Sequence, residues 1–469
     1  MGEIANNFYG YIKVDDDTYT YNVTDNIVTL LPAYSDVKKR YDSFFRIQSH
    51  NTDVPEYLFG EDNSTAIAIL RNGKFVTNCL GTNLAIRFAT PIIIKACGNA
   101  QGFFSMLTED WCKFHAITFY GGNINALYNP DIAIEQSDIS EIIKGDGART
   151  IKMRPWSDYT QTTEIQIENE KVTLTVSIGQ TAEKNGIGCK SAYNLGKMDA
   201  FFRFSFENAQ GFEAIERYYM IAKKMVAILT SQNNVCFEEI YLSQRNLDQK
   251  YCKTGICRIF DSYENYSIRQ CHKVISIASI WNYIPSLING IINNKADSLL
   301  ELLPEDNKMV DKISIKNIQD LCTALEVAYH LDDKRKREKD ILIEELKKNI
   351  KKTIAEFAKE YEIDVNKETT MSSAFQYLDY TLKRKIFTLY NENSDVANAI
   401  LSRYSQPQIN EESIASLVNL RNNKTHSGII EWGESAKIYA ALLSIVYASF
   451  LKYIELPDEV VKSIVPRIF

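Results

Sequence analysis

The chain has 469 residues, a formal net charge of −7, and 45% hydrophobic against 24% charged residues. That balance excludes a disordered polyelectrolyte, and the length calls for roughly two to four cores rather than one. The acidic excess also excludes a protein that coats long duplexes through a global basic surface, while leaving room for a small RNA site with a local basic rim.

The opening residues Met1-Gly2-Glu3-Ile4 lack the basic and apolar regions of a secretory signal. Asn6 stands where a myristoylation motif wants Ser or Thr. No run of about eighteen apolar residues is apparent, so no membrane partner is expected and a cytoplasmic location is the default. The nine Cys are then expected to be reduced, packed thiols. Cys252, Cys257, Cys271 and His272 pair as C-x4-C and as an adjacent Cys-His. That spacing suits ordinary packing better than two chelating turns, so no metal is expected. No phosphate-cradling G-x4-G-K-S/T loop, G-x-S-x-G elbow or H-E-x-x-H pair occurs, and no cofactor is expected.

Residues 1–205 read as a β-rich region. Phe8, Tyr9, Tyr11 and Ile12, then Tyr19, Tyr21, Val23, Ile27, Val28 and Leu30, are aromatic and β-branched residues in short runs, as in strands. Asn72-Gly73 between Ala66–Leu70 and Phe75–Asn78 predicts a hairpin, because a type I′ turn needs positive φ at both central residues. Ile165 and Ile167, a turn over Glu168–Lys171, then Val172, Leu174, Val176 and Ile178 predict a second hairpin with one buried face. Phe202, Phe204 and Phe206 repeat the period of two. His50 and His115 sit among aromatics and are expected to be structural. Many short strands suggest a sandwich-like domain.

Residues 206–310 form a mixed middle segment. Ile215, Tyr218, Tyr219, Ala222, Met225, Val226 and Leu229 predict a helix over 212–230. The apolar stretch Val274–Ile292 contains Pro285 and predicts a bent or broken helix.

Residues 313–469 read as all-α, making the whole an α+β multidomain protein. Ile315, Ile318, Leu321, Cys322, Leu325 and Tyr329 mark one apolar helical face. Lys334 to Glu362 predicts a long charged helix. Its basic residues are interspersed with acids, as on a solvated face, with a phosphate-facing rim as the sharper alternative. Phe375–Tyr390 predicts a helix bearing Lys383, Arg384 and Lys385. Asn410 is placed to cap a helix over 411–425, and Glu434–Ile454 is apolar enough for a central core helix.

The chemistry concentrates in Leu420-Arg421-Asn422-Asn423-Lys424-Thr425-His426-Ser427-Gly428. Arg421 follows Ile414 by seven residues and Val418 by three, so it continues the apolar face. A cation where an apolar residue is due breaks the local pattern, as functional residues do. Gly428 suits a helix stop, which places His426 at or near the last turn, where the helix C-terminus favours its cation. Histidine can transfer protons near neutrality, and arginine grips phosphate through a planar fork of donors. One Arg and one His make half of a two-histidine RNA-cleaving site, which a two-fold partner would complete. The alternative is that Arg421 pairs with a core carboxylate and His426 only caps the helix.

Arg421-Asn422-(three residues)-His426 resembles the R-x4–6-H motif of HEPN domains, in which a polar residue directly follows the Arg. Ala324-Leu325-Glu326 is similar to a stretch of ApeA-like anti-phage proteins, which join a β-rich N-terminal region to a helical HEPN domain. The resemblance implies a metal-independent endoribonuclease of abortive anti-phage defence, active as a homodimer or higher homo-oligomer on RNA, with tRNA a candidate substrate. With no metal cluster beside Arg421 and His426, the RNA's own 2′-hydroxyl is the expected attacking group, leaving 2′,3′-cyclic phosphate ends. It implies catalytic roles for Arg421, Asn422 and His426, with Glu326 as a support that holds the Arg. Lys424, Lys383, Arg384 and Lys385 are the expected RNA-binding residues. The β-rich region would be the sensor or regulator, with a phage protein as its trigger. A reading of another class is a non-catalytic protein whose β-region binds a ligand or phage protein and whose helices only dimerise.

Overall fold

Alternation of large apolar with polar residues drives the first half of the chain into strands, and apolar residues at three- and four-residue spacing drive the second half into helices. The computed structural model describes residues 8–14, 16–49, 56–62, 65–80, 83–97, 110–136, 151–180, 198–260, 268–305, 313–332, 341–374, 381–427 and 435–469. By contacts the chain divides into two units, Met1–Lys223 with Val235–Tyr266, and Lys224–Asn234 with Ser267–Phe469.

The first unit is built on antiparallel strands. In chain order they are β1 (Phe8–Val14), β2 (Asp17–Thr24), β3 (Ile27–Pro32), β4 (Tyr57–Asp62), β5 (Thr65–Leu70), β6 (Asn72–Leu80), β7 (Asn83–Ala89), β8 (Ile92–Ala96) and β9 (Lys113–Tyr120). A small separate pair, β10 (Ile134–Gln136) and β11 (Ile151–Met153), comes next. Then follow β12 (Gln161–Ile167), β13 (Glu170–Gln180), β14 (Met198–Gly211), β15 (Glu239–Arg245) and β16 (Tyr251–Ile259). Apart from β10 and β11 they form one sheet, ordered β12-β13-β14-β9-β15-β16-β8-β5-β4-β1-β2-β3-β7-β6. The β-rich region expected over residues 1–205 is thus an antiparallel sheet whose main strands are continuous with one another. Pairing of β16 with β8, Cys257 opposite Ile94, joins the two halves edge to edge. Around β1 to β8 the sheet encloses a core with Phe44 and Ile47 of helix α1 (Val37–Ser49), where Ile12, Val23, Val28, Leu30, Ile67 and Ile86 are wholly buried.

The hairpin expected at Asn72-Gly73 does not form. β5 pairs with β4 and β8, while β6 pairs with β7. Gly73 has φ +79° but Asn72 is not left-handed, so the type I′ requirement is unmet. The glycine instead serves an irregular start of β6, whose register against β7 shifts between Asn72 and Val76. The second hairpin forms as expected, with Ile165 opposite Val172 and Glu168 at φ +54° in a tight turn. Ile165, Ile167, Val172, Leu174, Val176 and Ile178 are all buried.

The boundary expected at residue 205 falls inside β14, and the middle segment is divided. β15 and β16 belong to the sheet, while Ser267 onward counts with the helices. Helix α3 (Ala214–Thr230) follows a short helix α2 (Gly122–Leu127), and the seven apolar residues that predicted α3 are buried. Cys271–Ile292 is, by length and composition, apolar enough to cross a membrane, contrary to the expectation of no such stretch. Its backbone is broken, however, into a 3-10 turn, α4 (Ile277–Ile280), a second 3-10 turn and α5 (Ile284–Ile292), with Pro285 in the first turn of α5.

The second unit is helical. It contains α6 (Asp297–Leu300), α7 (Ile315–Tyr329), α8 (Ile341–Glu360), α9 (Val365–Ala374), α10 (Leu382–Glu392), α11 (Ser394–Arg403), α12 (Glu411–Ser427), α13 (Ser435–Tyr453) and α14 (Asp458–Ile468). α13 is the hub, packing against α7, α10, α11, α12 and α14. Leu442, Ile445, Tyr447, Ala448 and Leu451 are wholly buried along it. The helix expected over 375–390 begins instead at Leu382, where the Thr381 side chain accepts from the Arg384 amide. Residues 375–380 lie outside the described residues, as do 333–340 with Lys334, Arg335, Lys336, Arg337 and Lys339.

Candidate functional site

α12 carries the motif, and its start is locally encoded. The Ser413 amide donates to Asn410 Oδ1 at 2.8 Å, and the Asn410 amide donates to Ser413 Oγ at 3.0 Å. Glu411 and Glu412 in the first turn complement the helix dipole. Ile414, Leu417 and Leu420 are buried, fixing the rotation of the helix. Arg421 comes next, half-buried, and Asn422 is exposed. The backbone remains helical to Ser427, so Arg421 and His426 stand on one continuous helix, about 7.5 Å apart along its axis. The side chains of Lys424 and His426, and Gly428 altogether, lie outside the described residues.

α7 supplies the facing residues. Ser314 and Asn317 form a capping box at its start. Cys322 and Glu326 follow one turn apart on the same face, and His330 caps the helix another turn on. Lys385 reaches across from α10. Its Nζ donates to Glu326 Oε1 at 2.7 Å and lies 3.3 Å from His330 Nε2. The hydrogen bond from Lys385 holds the Glu326 carboxyl below the usual range, helped by the charges of Lys385, Arg421 and His330 and opposed by partial burial. Burial pushes the Cys322 thiol up to about 11, with the Arg421 charge acting against it. Glu326 is therefore an ionised carboxylate hydrogen-bonded to Lys385 and within range of the charges of Arg421 and His330.

Two expected site residues, Arg421 and Glu326, thus come within electrostatic range of each other. Lys385 joins them, but as the carboxylate's partner, with its side chain only 13% exposed. Lys383 pairs with Glu411 at 3.0 Å, at the opposite end of α12 from the motif. Arg384 is exposed at the start of α10. On α8, Lys352 pairs with Glu356 on a solvated face, while Lys347, with a side chain only 15% exposed, pairs with Glu344. His330 is the residue that motif reading passed over. Its signal was the four-residue step from Glu326, which places both on one helix face.

Away from this cluster, His115 Nδ1 accepts from the Arg245 amide at 3.3 Å. Cys257 is buried while Cys252 and Cys271 are exposed. Among the described residues no group of three or more His, Cys, Asp or Glu converges as metal ligands do. No family model matches the chain, and neither does any curated protein or solved structure.

Proposed function

We propose that the helical unit is a metal-independent endoribonuclease of the HEPN type, working as a two-fold dimer in anti-phage defence. The observation that carries this reading is the placement of Arg421 and His426 on one unbroken helix, with Arg421 acting on the Glu326 carboxylate. The Glu326 carboxylate favours the cation of Arg421, and a guanidinium grips phosphate through a planar fork of donors. In the proposed reaction the RNA 2′-oxygen attacks phosphorus and the bond to the 5′-oxygen breaks. One histidine takes the 2′-hydroxyl proton, and the second, His426 of the partner subunit, gives a proton to the leaving oxygen. Arg421 offsets the charge that builds on the phosphoryl oxygens. The products are a 2′,3′-cyclic phosphate and a 5′-hydroxyl. Such an activity must be held off in a healthy cell, and the β-sheet unit, answering to a phage protein, is the proposed regulator.

The test is to incubate the purified full chain with RNA in the presence of EDTA and to map the ends. Cleavage should persist, leave cyclic phosphates, and disappear in His426→Ala. Activity lost to chelation and restored by magnesium would refute the mechanism.

A second reading, a ligand-binding sheet with helices that only dimerise, draws on a cleft of about 430 Å³ in the first unit. It is lined by Tyr11, Thr20, Leu31, Tyr34, Arg40 and Leu84. A His426→Ala protein that still dimerises and retains every effect of the wild type would favour it.

A further inference from the structure

Strand β14 divides its side chains between two faces of the sheet. Phe204 and Phe206 pack against Tyr218 of α3. Phe201 and Arg203 face the other way, where Phe201 meets Tyr120 of β9 and the exposed Trp156. Register carries this second face across the sheet, with Arg203 opposite Thr118 and Thr118 opposite Tyr241. Gly179 of β13 leaves room for it, since a Cβ there would stand 3.2 Å from the Tyr120 hydroxyl.

Three cations lie on this floor of rings. The Arg203 guanidinium is 5.0 Å from the centre of Phe201 and 5.4 Å from that of Tyr251. Arg245 shares the Tyr251 ring at 5.6 Å, and Lys253 Nζ sits 3.4 Å from the centre of Tyr241. Arg203 Nε donates to Thr118 Oγ1 at 3.1 Å, but among the described residues the guanidinium meets no carboxylate. One carboxylate, Glu239, acts on Lys253 and accepts from the Tyr241 hydroxyl. Asp199, at the margin, accepts from Asn125. Loss of hydration pulls the pKa of Lys253 down, and the like charge of Arg203 adds to that pull. Like charges held together on an apolar floor cost free energy that an anion would recover.

We propose that this face of the sheet binds a phosphate-bearing small molecule, with the phosphoryl group held by Arg203 and Lys253 and bordered by the Tyr120 and Tyr251 hydroxyls. Arginine and lysine on aromatic rings keep their outward donors for such a group. A single-stranded nucleic acid is a poorer fit. The rings that would stack bases are already covered by cations, Phe201 and Tyr241 are buried, and Trp156 alone is well exposed.

Calorimetric titration of the full chain with pyrophosphate and, separately, with ATP tests this directly. It reads binding, so it stands whether or not the chain cuts RNA. Saturable binding of either probe is expected. Lys253→Gln and Arg203→Met should each weaken it roughly ten- to hundredfold, while Lys352→Gln on α8 should leave it unchanged. Equal binding of both probes identifies phosphate as the whole determinant, and binding of ATP alone identifies a nucleotide. Lys253 is exposed, so Lys253→Gln remains decisive should Arg203→Met fail to fold. The proposal is overturned if neither probe binds at millimolar concentration, or if binding survives Lys253→Gln unchanged. It is also overturned if a single-stranded RNA oligomer alone binds and loses affinity in that variant.

Discussion

Two cation clusters, one on the face of the sheet and one among the helices, are held in different ways. In the sheet, Arg203 rests on the rings of Phe201 and Tyr251 and, among the described residues, meets no carboxylate. In the helical unit, Lys385 is hydrogen-bonded to Glu326 at 2.7 Å, and that carboxylate also feels Arg421 and His330. A ring positions a cation through its quadrupole while leaving the net charge intact. A carboxylate positions a cation by cancelling charge, which is useful where orientation matters more than affinity. The sheet face thus leaves cationic charge available to an anion, while the helical cluster spends that of Lys385 on Glu326.

The contrast can be broken most severely at the motif. His426→Ala should lower RNA cleavage by about two to four powers of ten, the usual worth of one general acid-base group. Circular dichroism should remain that of the wild type. An unchanged rate would remove the helical cluster from catalysis.

Core truncations come next and sharpen the separation of the units. Phe204→Ala, at a wholly buried position in the sheet, should cost about 3–5 kcal/mol, and Leu417→Ala on α12 about 2–5 kcal/mol. Chemical denaturation of each should reveal the loss. Only Leu417→Ala, which loosens the helix under Arg421, should also slow cleavage by the folded protein.

Asn410→Ala removes the cap of α12 and should cost about 1 kcal/mol. Asn410→Asp, which keeps an acceptor at that position, should retain most of the stability.

The smallest expected effect belongs to Glu326, because its side chain is 42% exposed and solvent screens it. Its folded pKa lies below the ordinary 4.5, so its contribution is present above that value and fades as pH falls through the folded pKa. Glu326→Gln should flatten the acid limb of a stability-versus-pH curve and leave the limb above neutrality unchanged. An identical acid limb in the two proteins would mean that Lys385 does not stabilise the ionised carboxylate.

Local patterns carried much of the architecture. The Ile165–Ile178 hairpin, the buried face of α3, the Asn410 cap and the apolar α13 all follow from spacings within a dozen or so residues, where period and capping chemistry act directly. Those same spacings placed Arg421 beside a buried stripe, because helical geometry needs no partner to define a face. What spacing could not reveal depended on residues far apart in the chain. Asn72-Gly73 has the composition of a hairpin turn, yet β6 found its partner in β7, because long-range pairing outweighs a preference of a few tenths to about one kcal/mol. Likewise nothing near Glu326 announces Lys385, fifty-nine residues away, and nothing near Arg203 announces Tyr251. Those meetings were set by helix packing around α13 and by strand order across β14, β9, β15 and β16. Each arises from the collective burial of apolar side chains, in which a charged group goes where its scaffold carries it and meets whatever that surface supplies.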